Sequence, residues 1–169
     1  MPPDAAYNRV RIFTLFSFLL APALFGQTHS ACDLVTQGEA DALLGGGTRQ
    51  IAVGTLGCSY SYRATGAKLT VTVLDLGVSA KPTWDGLKDQ TARAKWLAGE
   101  ESGMGSNAYA QLIKRSADSS AGKCGFVVVK GGDVFQIFVT DDSEKQDIAG
   151  KKEMLDKLRP VALKAVARL

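Results

Sequence analysis

The sequence predicts an α+β domain: an antiparallel sheet of five to six strands packed with three helices, in the order α-β-β-β-α-β-β-β-α, as a single-domain sandwich. Three observations carry this. Runs of apolar alternation follow one another with only short turns between them, which demands antiparallel pairing. Helical periodicity recurs before, between and after those runs. A chain of 169 residues, 46% hydrophobic and 22% charged, has room for one core.

The first helix is bounded at both ends. Thr36 and Glu39 spell a capping box, Gly45 is a stop, and Ala40, Leu43 and Leu44 share a face. After Gly45-Gly46-Gly47, strands are predicted over 50–53 and 58–63, with a turn at 54–57. In the second of these, Cys58, Tyr60 and Tyr62 alternate with Ser59, Ser61 and Arg63, which gives one aromatic face and one wet face. Thr65-Gly66 turns the chain into a third strand over 68–76, where Leu69, Val71 and Val73 alternate with Lys68, Thr70 and Thr72. A helix over 82–98 follows: Trp84, Leu87, Thr91, Ala94 and Leu97 recur at helical spacing, and Gly99 ends it. Trp96 falls off that stripe.

Residues 100–107 read as a glycine-rich loop and 108–115 as a strand. Strands over 124–130 and 133–140 are joined by Gly131-Gly132, the connection of a tight hairpin. Phe126 and Val128 alternate with Val127 and Val129, so both faces are apolar and the strand is central. Asp142 or Ser143 caps a last helix to the C-terminus, with Ile148, Leu155, Leu158, Ala162, Ala165 and Leu169 on one side. Pro160 is expected to kink that helix or split it in two.

Ahead of the domain, residues 1–31 read as a secretory signal peptide and cleavage region. Arg9 and Arg11 precede an apolar run over 12–25 that Gly26 and Gln27 close. Interrupted by Ser17 and Pro22, the run falls short of the roughly 20 apolar residues that span a bilayer, so no transmembrane span is expected in the mature chain. Cleavage is compatible with positions after Gly26, Gln27, Ser30 or Ala31, and 32–169 forms the domain. A lipid anchor on Cys32 is disfavoured, because His29-Ser30-Ala31 puts no Leu-like residue three positions before it. The expected address is extracytoplasmic, either periplasmic or secreted.

In such a compartment a matched cysteine pair is oxidised. Pairing Cys32 with Cys58 pins the first helix to the sheet and leaves Cys124 over; pairing Cys58 with Cys124 is the alternative. The leftover Cys124 is either a small buried residue at a strand start or a thiol open to reaction or intermolecular pairing.

Several chemistries are excluded or unsupported. The one histidine, His29, lies in the targeting region, so neither a Ser-His-Asp triad nor a polyhistidine metal site has its imidazoles. No Cys-x-x-Cys spacing exists. At a net charge of +3 the basic residues are scattered near acids, with no strip to track phosphates, and nucleic acid is not an expected partner. Gly103-Met104-Gly105-Ser106-Asn107-Ala108 matches a dinucleotide fingerprint in letters only, since a strand rather than a helix follows it. Glu100-Glu101 and Asp141-Asp142 sit at element ends, where acids are ordinarily solvated. Ser120-Ala121-Gly122-Lys123 is a polar turn, a poor place to bury a lysine for a Ser-Lys dyad. No cofactor, no metal and no catalytic residue is assigned.

Certain short motifs carry a resemblance. Cys32-Asp33-Leu34-Val35-Thr36, Glu39, Leu44-Gly45 and Gly57-Cys58-Ser59-Tyr60 are followed by the loop Gly103-Met104-Gly105-Ser106-Asn107-Ala108-Tyr109 and a hairpin from Val127 to Phe135. In these the chain resembles exported bacterial envelope domains of unknown function, including actinobacterial lipoproteins and relatives of the extracellular sensor domains of some Ser/Thr kinases. The resemblance implies an α+β sandwich, a Cys32–Cys58 disulfide and an extracytoplasmic location, and it brings no catalytic residue. The chain departs from the family's pattern in lacking a clear lipid-anchoring box and in carrying Cys124.

The functional expectation is an exported, non-enzymatic binding module. Its sheet and the loop 103–109 would frame a cleft for a small ligand, a wall fragment or an envelope protein. Tyr60, Tyr62, Trp96, Tyr109 and Met104 are the candidate ligand contacts, each also a candidate core residue. Two alternatives stand beside it: a wall hydrolase using carboxylates or a Ser-Lys pair, and a purely protein-interaction domain that joins its partner through Cys124 or an exposed edge strand.

Overall fold

A computed structural model of the chain describes residues 30–93, 97–113, 122–141 and 148–169. Among them, seven strands build one antiparallel sheet, in the order β1-β2-β3-β7-β6-β5-β4, and four α-helices pack on it. The strands are β1 (Arg49–Val53), β2 (Gly57–Ser61), β3 (Lys68–Asp75), β4 (Leu97–Glu101), β5 (Asn107–Ile113), β6 (Gly122–Lys130) and β7 (Asp133–Asp141). The helices are α1 (Ala31–Leu34), α2 (Gln37–Leu44), α3 (Ala80–Arg93) and α4 (Ile148–Arg168). The α+β class and the antiparallel sheet agree with the sequence pattern; five to six strands and three helices are corrected to seven and four.

The unforeseen strand is β4. The helix expected over 82–98 gives way to α3, and Leu97–Glu101 pairs instead with β5, Leu97 opposite Leu112 and Glu101 opposite Ala108. Leu97 continues the helical spacing, but the sheet offers its backbone hydrogen-bond partners that a further helical turn would have to supply alone. The unforeseen helix is α1, a single turn in which Ser30 Oγ accepts from the Cys32 amide at 3.3 Å. Trp96, Asp142 and Ser143 lie outside the described residues.

Pro160 does not split α4, which runs unbroken from Ile148 to Arg168. Pro160 and Asp156 both lie on the exposed side, so the carbonyl that loses its amide partner is near water. Leu155, Leu158, Ala162 and Ala165 stay buried on both sides of the proline and hold the helix to the sheet.

Directly paired residues share a face of the sheet, and the two faces bury different helices. Tyr60, Leu69, Val71, Phe126, Phe135 and Ile137 turn toward α1, α2 and α4 and form the larger core. Tyr109, Val127, Val129, Val134 and Phe138 turn toward α3, where Trp84 caps them. Strand β6 is accordingly buried along its length, as its two apolar faces require. Gly125 in its middle is obligatory: a Cβ there would lie 2.4 Å from the Phe138 ring and 2.1 Å from the Ile137 carbonyl oxygen. The alternation in β2 is only half kept. Ser59, expected on a wet face, is buried between Ile51 of β1 and Thr70 of β3, and its Oγ has no partner among the described residues.

Three ties fasten the N-terminal helices. Cys32 and Cys58 are disulfide-bonded across a Cα separation of 5.0 Å, with Cys124 buried in the core outside the bond. Closing that loop stabilises the fold by about 3.5 kcal/mol in the chain-entropy model. The Tyr60 hydroxyl donates to the Val35 carbonyl between α1 and α2. Apart from these ties, α2 has its expected capping box: Thr36 Oγ1 accepts from the Glu39 amide at 3.2 Å, and the Glu39 carboxylate accepts from the Thr36 amide at 2.9 Å.

The third tie comes from the other end of the chain. Arg168 grips the Glu39 carboxylate with two hydrogen bonds, at 2.7 and 2.8 Å, and donates to the Leu34 carbonyl at 2.7 Å. Its guanidinium holds the Glu39 carboxyl down to about 2 from an ordinary 4.5. Because the folded-state value is depressed, the tie is at full strength above pH 4.5 and is lost as the pH falls through 2. Replacing Glu39 with Gln is expected to cost about 1 to 2 kcal/mol at pH 7, less than the full shift implies because Arg168 is partly in water. The variant's urea midpoint should then fall less steeply than the wild type's between pH 5 and 2.5; parallel acid profiles would show that the tie contributes nothing.

Candidate functional site

Three connections meet at one end of the α3 face. The first leaves β3 and enters α3 through a 3₁₀ turn, Gly77–Ser79. The second is the β6–β7 turn, to which the first is tied: the Leu76 amide donates to the Gly132 carbonyl at 3.0 Å. The third is the glycine-rich loop between β4 and β5, folded down onto the end of β6. Both the amide and the hydroxyl of Ser106 donate to the Val129 carbonyl, at 2.8 and 3.0 Å. Met104 plugs the loop into the larger core.

Gly105 makes this fold-down feasible. It sits at φ +60, and a Cβ there would lie 2.3 Å from the Val129 carbonyl oxygen and 2.8 Å from a Val128 methyl. Only glycine meets both demands.

The three connections enclose a cleft of about 460 Å³. Its walls carry Lys81 and Asp85 from the first turns of α3 and Ser106 and Asn107 from the loop, with Trp84 and Val129 among the apolar lining. Lys81 and Asp85 form an exposed ion pair at 2.7 Å, so both ends of a dipolar ligand have a counter-charge within one helical turn. Trp84 is fixed in place. Its ring meets Tyr109 edge to face with centroids 4.8 Å apart, and the Lys88 ammonium lies 5.8 Å from its centroid. Lys88 is itself held by Glu100 at 2.9 Å, which keeps the Glu100 carboxyl below the usual carboxylate range.

None of the predicted contacts among the described residues lines the cleft. Tyr60, Tyr109 and Met104 are buried core side chains, and Tyr62 is half-buried against the larger core. Tyr109 bears on the cleft through Trp84. Trp96 lies outside the described residues. The loop 103–109 does border a cleft, but through Ser106 and Asn107, and Lys81, Trp84 and Asp85 come to it from α3. Their signal in the sequence is slight: an i,i+4 pair of opposite charges, which is ordinary on any helix.

The acid pair Glu100-Glu101 is divided between the two faces. Glu100 meets Lys88 of α3, while Glu101 is gripped by Arg159 of α4, with one bond at 3.0 Å. Lys123 lies over the Phe138 ring, 4.9 Å from its centroid, and burial pushes its ammonium below the usual lysine range. Ser120 lies outside the described residues. Among the described residues no three or more metal-binding side chains gather.

A second depression, of about 400 Å³, runs between α2 and α4 over Leu43, Pro160 and Val161, with Lys157 and Lys164 at its margin. Its one carboxylate, Glu39, is already engaged by Arg168. The α3 cleft therefore has the richer set of converging polar groups. The sequence matches no protein-family model and no curated protein.

The loop's dependence on Gly105 is open to test. Gly105→Ala is expected to lower stability by about 2 to 4 kcal/mol, combining a steric clash with an unfavourable backbone conformation. Gly103→Ala, at φ +81 with nothing near its added methyl, should cost only about 1 to 2 kcal/mol. Equal losses in thermal unfolding would show that the close approach to Val129 is not what anchors the loop.

Proposed function

We propose that the chain is exported and that its α+β domain is a non-enzymatic binding domain, whose cleft beside α3 takes a small polar ligand such as a fragment of the cell wall. The observation that carries this reading is the convergence of Lys81, Asp85, Ser106 and Asn107 around a rigidly held Trp84 in one cleft. A hydroxyl- and amide-rich molecule with an apolar face fits such a lining, since pockets of this kind combine an apolar base with a few placed polar groups.

The hydrolase reading has less support. Successive strand residues point to opposite faces, so Glu100 and Glu101 are directed to different sides of the sheet and each is held by a base. Two carboxylates so placed do not flank one scissile bond.

Binding is tested by thermal unfolding in the presence of wall-derived disaccharides and stem peptides. A rise in Tm of a few degrees at millimolar ligand is expected, and Lys81→Ala or Asn107→Ala, both at exposed positions, should abolish it without changing the Tm of the unliganded protein. Shifts absent from the whole panel, or unchanged in both variants, would remove the cleft from the proposal.

Export draws support from the disulfide and from the residues that open α1. Ser30 caps α1 and Ala31 is buried in the core, so removal of the targeting segment before Ser30, after Gly26 or Gln27, leaves the fold intact. No described helix is long and apolar enough to cross a membrane. The mass of the protein recovered from outside the cytoplasm should correspond to an N-terminus before Ser30, less two hydrogens for the disulfide. Recovery of the uncleaved, reduced chain in the cytoplasm would overturn export.

A further inference from the structure

The two edges of the sheet are treated differently. At one edge, β4 carries Glu100 and Glu101, tied to α3 and α4 through Lys88 and Arg159. Charges and covering helices of this kind are how proteins keep a sheet edge from pairing further. At the other edge, all five residues of β1 are exposed. It has no proline, its only charge is Arg49, and its register with β2 runs unbroken from Arg49 opposite Ser61 to Val53 opposite Gly57. Half of its backbone amides and carbonyls point away from β2, and among the described residues no strand receives them.

The side chains there are also unusual. Ile51 is 44% exposed, Val53 61% and Leu56, in the adjoining turn, 51%. Ile51 and Val53 share one face with Arg49. On that face Arg49 stands opposite Ser61, and Ser61 opposite Lys68 of β3, which sets two cations at one end of an apolar stripe. Neither Arg49 nor Lys68 has an ion pair among the described residues. Three half-exposed aliphatic side chains offer on the order of 300 Å², well under the roughly 800 Å² per partner that a stable dimer needs. That area suits a single strand better than a second copy of the chain.

We infer that β1 is a docking edge for an extended segment of another polypeptide, which adds to the sheet antiparallel to β1. Its register follows from the stripe. Residues opposite Val53 and Ile51 are apolar, and the one opposite Arg49, towards the segment's C-terminal end, is acidic. The motif is apolar-x-apolar-x-acidic. Main-chain bonds supply the affinity and the alternate side chains the selectivity. This surface lies on the opposite edge of the sheet from β4 and is independent of the cleft beside α3.

The experiment follows backbone amide hydrogen exchange in the exported protein, with an acetylated hexapeptide that alternates threonine with valine and isoleucine and ends in glutamate. At saturating peptide, exchange across 49–53 should slow at least tenfold while that of β7 stays unchanged. Ile51→Lys, at an exposed position, should weaken the peptide at least tenfold, and a lysine in place of the peptide's glutamate about fivefold at low salt. Three results would each overturn the inference: no slowing at millimolar peptide while β7 remains protected; equal slowing in Ile51→Lys; or protection of 49–53 without peptide that grows with protein concentration, which is pairing with a second copy.

Discussion

Strand β6 has water on neither face, and the rest of the molecule is arranged around that constraint. Val127 and Val129 on one side and Phe126 and Val128 on the other are each buried. A strand buried on both faces cannot lie in a simple two-layer packing; it requires cover above and below. Helix α4 supplies one cover and α3 the other, and the chain must place a helix on each side of the sheet to provide them. The long C-terminal helix is then secured at its end by contacts from distant parts of the chain. Lys130, at the tip of β6, donates to the Val166 carbonyl at 2.7 Å, while Arg168 reaches Glu39 and Leu34. Cations at a helix C-terminus meet the negative end of its dipole, so these ties are electrostatically well placed as well as mechanically useful.

What was legible in the sequence was what local chemistry decides. The capping box of α2, the alternation of Leu69, Val71 and Val73, the doubly apolar β6 and the Gly131-Gly132 hairpin are all where their residue patterns put them. The strand β4 was not legible, because Leu-Ala-Gly-Glu-Glu carries no apolar alternation and follows a helical run in phase. Its strand character comes from pairing with β5, the strand that follows it across the glycine-rich loop. Pro160 misled for the opposite reason: a strong local rule was outweighed by buried residues on both sides of it. For the cleft, the loop at 103–109 was visible through its glycines, but Lys81 and Asp85 are drawn to it only by the way α3 crosses the sheet. The aromatic residues that composition made conspicuous went largely into packing, Tyr60 and Tyr109 completely so.

The fastenings divide by location, and the division bears on how the parts of the molecule act. The disulfide, the Tyr60 hydroxyl bond and the Arg168–Glu39 tie all converge on α1 and α2, at the β1–β2–β3 side of the sheet. None of them touches the cleft. The cleft is set by Gly105 against Val129, by the two hydrogen bonds from Ser106 to the Val129 carbonyl, by the Leu76–Gly132 link and by Trp84 wedged on Tyr109. Redox conditions thus act on the N-terminal helices and leave the cleft walls without a direct lever. The same disulfide also stiffens β2, the strand that backs β1. An edge strand that is hydrogen-bonded to a covalently pinned neighbour keeps its extended shape when nothing is paired to its outer side. That pre-ordering lowers the entropic cost of adding a further strand. The unguarded edge is therefore held in shape through the Cys32–Cys58 bond on the strand behind it.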